Sequence, residues 1–359
     1  MRILDRYLTR EFLGYLALWL VGFIVIWIVV DFIEKADVFL DHHAPFGLLA
    51  QYYLASTPEI VVRVLPVALM LATFLALGQL NKFGELTAMR EAGISLMRIL
   101  APVFAISVAT AFVSLMLGEV VMPAATRRMN EIYNERIQHM TTGARTERPD
   151  ITYLGAGGRI WYTRLYVIGA KRMHEVSLQE FRAGRLWRRI DAAEASWDGS
   201  RWVFVSGYMR TFDQGRERAE VFSRMAVGGL AERPEDFAKQ DVQPAEMNFF
   251  ELSDYVQRLR ASGARVANYL VDLHLKLAFP VICIVVVLIG GSLATRLRMQ
   301  SAALGFGLSL AISFVYYIVM RAGQALGHNG ALPPYVAAWM GDALFGAAGL
   351  MMMYGAQKS

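Results

Sequence analysis

Two groups of side chains in this 359-residue chain have types and spacings that could do chemistry. The first is a set of cations at the edges of long apolar runs. Lys35 follows one run, Arg63 lies about one turn inside a second and Arg321 about one turn from the end of a third, with Arg127 and Arg128 beyond a fourth. Ammonium and guanidinium groups at such a depth suit the phosphates of an amphiphilic ligand, so Lys35, Arg63 and Arg321 are candidate substrate-binding residues. The same positions serve a plainer purpose, snorkelling to a membrane interface or pairing locally with Asp31, Glu34, Glu59 or Glu119. Lys276 lies deeper, four residues after Asp272, a spacing that predicts an intrahelical ion pair. The second group is the stretch 81–95, NKFGELTAMREAGIS. Leu86, Met89 and Ala92 recur every three residues, Glu85, Arg90 and Glu91 mark polar faces, and Gly93 stops the pattern. A short amphipathic helix is predicted there, lying in a membrane interface or docking into a groove on a partner.

The chemistry that does not occur narrows the function further. The six histidines (42, 43, 139, 174, 274 and 328) are scattered, and neither metal-ligand spacing nor a Gly-x-Ser-x-Gly elbow is present. His42 and His43 are adjacent and point differently, so a solvated loop is expected in preference to a metal site. Cys283 is the sole cysteine and cannot form an internal bridge. There is no Gly-Lys pair, hence no phosphate-binding loop, and the chain does not hydrolyse nucleotide unaided. No catalytic residue, metal or cofactor is expected, and if the chain does work its energy comes from elsewhere.

The elements that must position these residues follow from hydropathy. With 55% hydrophobic and 19% charged residues and a mean hydropathy of +0.36, the chain is too apolar for a soluble domain and too charged to be all membrane. Residues 12–33 hold one charge, Asp31, over the length a helix needs to cross a hydrocarbon core of about 30 Å. The run is longer than a signal-peptide core and no small-residue cleavage site follows it, so it is retained as structure. Five more runs, 59–80, 97–119, 269–292, 302–324 and 335–354, bring the spans to six. Arg2, Arg6 and Arg10, then Lys82, Arg90 and Arg98, then Arg296 and Arg298, and Lys358 alternate with connections nearly free of Lys and Arg. That is a positive-inside pattern with both termini cytoplasmic.

Residues 123–265 read differently. They hold 23 Lys and Arg and 19 Asp and Glu, well above the density in their flanks, and by the same pattern lie outside the cytoplasm. Runs at 159–169, 174–181, 186–197 and 201–212 are short, aromatic and β-branched; Asp198-Gly199 is a good hairpin signal and Ala183-Gly184 a weaker one. A small antiparallel sandwich or jellyroll is expected, framed by helices at 123–140 and 251–261. In the run from Trp202 to Val205 both faces are apolar, as in a strand lining a greasy groove or one packed on both sides; Trp202 and Phe204 are therefore candidate substrate contacts. The basic pI near 9.3 reflects this surface and the positive-inside bias, which removes nucleic acid as the natural partner.

Several strings resemble a known family. Residues 65–95 (LPVALMLATFLALGQLNKFGELTAMREAGIS), His274 to Pro280, Gly330 to Trp339, Leu4 to Leu8 and Gly118 to Pro123 are together similar to the LptF/LptG permeases of the lipopolysaccharide export system, over nearly the whole chain and in order, more closely to the LptG branch. The resemblance implies a membrane α-helical bundle of six transmembrane helices with an inserted periplasmic all-β jellyroll domain. The division would be residues 1–122, 123–265 and 266–359. It implies a multi-pass protein of the bacterial inner membrane, paired with a paralogous permease (LptF if this chain is LptG) and with the cytoplasmic ATPase LptB. Such an assembly extracts lipopolysaccharide and passes it to LptC and the periplasmic bridge. By the same resemblance Glu85, with Leu86, Met89, Arg90 and Glu91, falls in the helix that couples to the ATPase, and Lys35 where basic residues meet substrate phosphates. Gly341-Asp342 departs from the Leu-Pro-Asn usual in relatives. Three other readings stay open on the residues alone: a secondary transporter, for which Asp272 and Lys276 are the only deep ionisable pair, an exporter of another amphiphilic lipid, and a membrane-anchored scaffold.

Overall fold

The computed structural model describes the chain except for residues 1–2, 139–146, 156–158, 183–184, 214–215, 239–243, 262–265, 297–301 and 359. Its helices are α1 (Ile3–Glu34), α2 (Ala36–Asp41), α3 (Phe46–Lys82), α4 (Glu85–Glu91), α5 (Leu96–Met116), α6 (Met122–Glu131), α7 (Pro234–Ala238), α8 (Phe249–Ala261), α9 (Ala267–Arg296), α10 (Ala302–His328) and α11 (Pro334–Lys358). Six helical stretches among the described residues are long and apolar enough to cross a membrane, one for each expected run. Most extend past the apolar run that announced them. At 1.5 Å per residue the 37 residues of α3 reach about 55 Å, beyond any hydrocarbon core. The chain divides into a compact unit of residues 1–129, 244–253 and 267–359 and a second of residues 130–243 and 254–266.

In the first unit α3 and α9 are the axis. Their apolar windows are 78% and 72% buried, against 6% for α1, which leaves most of α1 to face lipid or another protein. Small residues set the closest approaches. A Cβ on Gly323 of α10 would lie 2.5 Å from the carbonyl oxygen of Ala337 in α11, so only glycine fits there. Between the same helices the Tyr316 hydroxyl donates to Asp342 Oδ1 at 2.6 Å, both residues buried. Cys283 is buried in the core, as its position in a span implies. At one end of the bundle Arg98 forks onto the Asp5 carboxylate at 2.8 and 3.0 Å, tying α5 to α1.

The expected pair of Asp272 and Lys276 does not form. Lys276 Nζ instead reaches Glu119 at 3.6 Å, and Asp272 takes His328 at 3.0 Å and Gln324 at 3.2 Å from α10. Helical spacing made the intrahelical pair possible, and neighbouring helices supplied partners that it could not show. Glu119 lies in a π-helical turn, Leu117–Val121, between α5 and α6, and its carboxylate also accepts from the backbone N–H of Phe249, the first residue of α8. Asn248 and Glu251 close that helix end reciprocally, each side chain accepting from the other's backbone N–H. Arg127 ties in as well, to the Glu246 carbonyl at 3.1 Å and to Glu251 at 3.2 Å.

The second unit holds an antiparallel sheet of β1 (Glu147–Leu154), β2 (Ile160–Val167), β3 (Arg172–Arg182), β4 (Arg185–Trp197), β5 (Trp202–Asp213) and β6 (Arg216–Val227), in the order β1-β2-β3-β4-β5-β6. The all-β insertion is as expected. Its connectivity is a plain meander, which refines the strand order that jellyroll in its strict sense implies. The Asp198-Gly199 turn is present, with Gly199 at φ 103° and the Asp198 carboxylate accepting from the N–H groups of Ser200 and Arg201. Those bonds hold the Asp198 pKa well below the usual carboxylate range. The Ala183-Gly184 turn lies outside the described residues.

One feature organises this sheet. The pairs Asp150–Arg164, Arg164–Glu175, Glu175–Ala193, Ala193–Ser206 and Ser206–Ser223 are each missing between paired neighbours, and the β3–β4 ladder has a separate register shift at Glu180 and Phe181. Glu175 and Ser206 on that line have left-handed φ of 50° and 54°. The line is a transverse crease through all six strands, and crossing it shifts the inward-facing side chains by one residue. Buried positions in β5 pass from Trp202 and Phe204 to Gly207, in β4 from Ile190 and Ala192 to Ala195, and in β3 from Met173 to Val176 and Leu178. Both sides of the crease thereby contribute to one apolar cluster.

Candidate functional site

Where α1 and α3 approach each other at the ends nearer Lys35, a cavity of about 160 Å³ opens. Trp27, Asp31 and Lys35 line it from one side and Tyr52, Ser56, Glu59, Ile60 and Arg63 from the other, with Met129 beside them. Two predicted cations are brought together here, and each already has an acidic partner one helical turn away. Lys35 Nζ donates to Asp31 Oδ1 at 2.6 Å and to the Tyr52 hydroxyl at 2.5 Å, and Tyr53 donates to the other Asp31 oxygen at 3.2 Å. Arg63 pairs with Glu59 while its guanidinium lies 5.7 Å from the centre of the Trp27 ring. Burial lowers the Lys35 pKa, but the bonds to Asp31 and Tyr52 outweigh burial and leave it above the ordinary lysine value. The cavity thus carries two positive and two negative side chains and no net charge. Local pairing, the plainer of the two sequence readings, is what these cations do in this conformation.

Arg321 does not line the cavity. It is exposed on α10 and donates to Gln324 at 2.9 Å; one turn earlier the Tyr317 hydroxyl donates to the Arg63 carbonyl at 2.7 Å, which joins its helix to α3. Tyr52, Tyr53 and Trp27 were not singled out by sequence, since an aromatic residue near the end of an apolar run carries no signal of what it will touch.

At the opposite end of α3 the chain turns at Gly84, φ 75°, into α4, and leaves it at Gly93, φ 78°. The helix is seven residues long, shorter than the stretch 81–95 that predicted it. Leu86 is 3% exposed and Met89 packs on the bundle core, so the apolar face is held by this chain. Arg90 and Glu91 are exposed, Glu85 is half-buried, and Phe83 before the helix is 67% exposed. Ser95 then caps α5, its hydroxyl accepting from the Arg98 N–H.

In the sheet, Trp202 and Phe204 are wholly buried. Trp202 donates its indole N–H to the Glu232 carbonyl at 2.9 Å, and both rings pack around Trp161, at 5.5 and 5.8 Å between centroids. Val203 is 4% exposed, so the opposite face of β5 is covered as well. No cluster of His, Cys, Asp and Glu that could hold a metal ion occurs among the described residues.

The family described as "Lipopolysaccharide export system permease LptF/LptG" matches residues 6–355. The chain belongs to the LptF/LptG family. It is also 22% identical over 348 residues to the lipopolysaccharide export system permease protein LptG of Escherichia coli strain K12, an alignment covering 96% of this chain and 95% of that protein. The LptG of Escherichia coli O6:H1 matches to the same extent. This LptF/LptG permease is a multi-pass membrane protein of the lipopolysaccharide export system. Membership gives the site its context. The Lys35 cavity and α4 lie at opposite ends of α3.

Proposed function

We propose that this permease spans the bacterial inner membrane with both termini in the cytoplasm and residues 123–265 in the periplasm. Residues 1–122 and 266–359 form the membrane body. It pairs there with a paralogous permease, is driven by the ATPase LptB, and delivers lipopolysaccharide to LptC and the periplasmic bridge. Lipid extraction costs roughly 0.8 kcal/mol for each methylene brought into water, so an apolar route and an external energy source are both required. The observation that carries this reading is α4. It is bounded by two left-handed glycines, anchored on the bundle by Leu86 and Met89, and turned outward with Arg90, Glu91 and the neighbouring Phe83. In this reading Leu86 and Met89 hold the helix and Glu85, Arg90 and Glu91 meet the ATPase. At the far end Lys35 and Arg63 exchange their carboxylate partners for lipid phosphates, Arg321 assists from α10, and the apolar sheet that contains Trp202 and Phe204 receives acyl chains.

Two measurements test it. An ATPase should co-purify with the chain, and Glu85→Lys or Glu91→Lys should weaken that association while Thr87→Ser leaves it unchanged; a stable complex without any ATPase refutes the coupling role. Photocrosslinkers at Lys35 and Arg63 should trap lipopolysaccharide, and a clean negative at both removes the cavity from the lipid path.

A further inference from the structure

The chain that follows β6 crosses the β core without joining the sheet. Residues 228–233 have no strand pairing and lead into α7. What holds residues 232–238 is a set of strand side chains reaching for its carbonyl oxygens. The Trp202 indole donates to Glu232 O at 2.9 Å, the Tyr166 hydroxyl to Pro234 O at 3.0 Å and the Arg148 guanidinium to Phe237 O at 2.6 Å. Phe237 is the plug. It is 1% exposed, and its ring centre lies 4.8 Å from Tyr153, 5.2 Å from Trp161, 5.5 Å from Trp202 and 6.1 Å from Tyr166. Side chains from three strands therefore form an aromatic box, and its occupant comes from outside the sheet.

The latch beside the plug is badly satisfied. Glu232 is 2% exposed, yet its Oε1 has no hydrogen-bond partner among the described residues, and its Oε2 reaches Arg159 only at 3.5 Å. Arg159 is closer to Glu180, at 3.2 Å, and Glu180 has Arg188 at 2.7 Å. A buried carboxylate left half-paired opposes the closed arrangement. The carboxylate fits only because residue 155 is glycine, where a Cβ would lie 2.0 Å from Glu232 Oε1. The exposed pair of Lys171 and Glu235, at 3.9 Å, adds little. Gly228 and Gly229, the latter at φ 78°, stand at the root of the segment as a pivot.

We propose that residues 232–238 are a releasable strap, and that the box Phe237 fills is a binding site for a hydrocarbon acyl chain. A space walled by rings whose polar atoms are all neutral, among them the indole N–H groups of Trp161 and Trp202 and the Tyr166 hydroxyl, recognises a slender apolar group and nothing charged. The inference rests on the reading that this permease handles acylated lipid and adds that its β core is self-occupied until the strap lifts. The test uses the full-length chain in detergent with Trp161 and Trp202 retained and the five other tryptophans changed to Phe, so that quenching by a bromine-labelled fatty acid reports on the box alone. Because apparent affinity scales with the fraction of molecules in the competent state, a tenfold larger open fraction is read as a roughly tenfold lower half-quenching concentration.

Gly155→Ala, which expels the Glu232 carboxylate without touching any ring, should lower the half-quenching concentration by about that factor. Phe237→Ala should lower it further, with Phe237→Leu between. Glu232→Leu, which removes the half-paired carboxylate and leaves Arg159 with Glu180, should raise it. Equal quenching in the parent and in all variants shows that Phe237 is not a plug, and no quenching in any folded variant shows that the box takes no acyl chain; either overturns the proposal. The readout uses neither an ATPase nor lipopolysaccharide, so failure of the transport reading leaves this result standing, whereas failure here removes the sheet from the lipid path and leaves the ATPase coupling and the Lys35 cavity to their own tests.

Discussion

The contact between Tyr316 and Asp342 offers the sharpest test of how this bundle is held together. Both residues are buried inside the membrane body, 3% and 7% exposed, and the hydroxyl meets the carboxyl at 2.6 Å. The Tyr316 ring lies against Gly341, where a Cβ would come within 3.4 Å of its hydroxyl, and 5.1 Å from the ring of Phe345. Tyr316→Phe removes one oxygen and keeps the ring, so the change is confined to the hydrogen bond. Bonds to charged groups contribute about 1.5–3 kcal/mol in soluble proteins, whereas coupling between polar pairs inside membranes averages about 0.6 and reaches about 1.7 kcal/mol. A buried carboxyl oxygen with one described donor belongs at the upper end of the membrane range, so Tyr316→Phe should destabilise the chain by about 1.5 kcal/mol.

The assay is a double-mutant cycle with Asp342→Ala, read by equilibrium unfolding in mixed micelles. The two single changes should fail to add by about 1–1.5 kcal/mol, because once either partner is gone the other has nothing to lose. A coupling below about 0.3 kcal/mol, the scatter expected of independent sites, refutes the argument and leaves Asp342 buried for reasons of packing alone.

Three further outcomes follow from the geometry. Gly323→Ala should cost about 1–3 kcal/mol in the same assay, because its Cβ meets a backbone oxygen of α11 that cannot swing aside. Burial raises the Tyr166 pKa to about 12, so between the unfolded value of 10.0 and that figure the folded state keeps a proton that the unfolded state loses. Stability should therefore fall as pH rises through this window, and Tyr166→Phe, followed by unfolding at each pH, should abolish that part of the slope. Asp31→Asn should leave the Lys35 cavity with a net positive charge and raise its affinity for a short-chain phosphatidic acid about two- to fivefold, on the scale of one partly exposed ion pair; unchanged affinity would mean that phosphate does not enter there.

The spans were legible because length and hydropathy are set by the bilayer and need no knowledge of neighbours. Four of the six strands among the described residues were legible for a related reason, the β-branched and aromatic runs between turn signals. The other two were not. β6 is an edge strand in which Glu217, Arg218, Glu220 and Arg224 are all exposed, and β1 begins in a charged stretch, so apolar side chains they give the core, such as Phe222 and Met225 from β6 and Ile151 and Tyr153 from β1, are spaced among charges and form no apolar run. The crease hid the alternation that strand reading depends on, since a one-residue shift in every strand makes Trp202 and Phe204 inward on one side and Gly207 inward on the other. At the site, the spacings that pair Lys35 with Asp31 and Arg63 with Glu59 could be read from sequence, whereas Tyr52 is 17 residues from Lys35 and answers to no periodicity. Phe237 is further from reach. It lies in a segment without strand periodicity, and only the folded sheet shows that Trp202 is covered by something the chain brings itself.

The Lys35 cavity and the aromatic box share a property that bears on how such a permease works. Each would bind lipid through groups that this chain already satisfies: Asp31 and Glu59 for the cations, Phe237 for the rings. Self-occupation weakens binding by the free energy of the internal contact, which looks like a defect until release is considered. A carrier that held phosphates and acyl chains with fully vacant sites would bind them deeply and then need that same free energy to let go. When an internal ligand returns as lipid departs, each step approaches an exchange, and the net work falls on the motions that open and close the sites. In the proposed assembly those motions are supplied through α4, joined to the cavity end by the continuous helix α3. Asp31→Asn and Phe237→Ala should then share a behaviour that simple loss of contacts does not produce, tighter lipid binding together with slower transfer, measured as retained lipopolysaccharide per round of ATP hydrolysis.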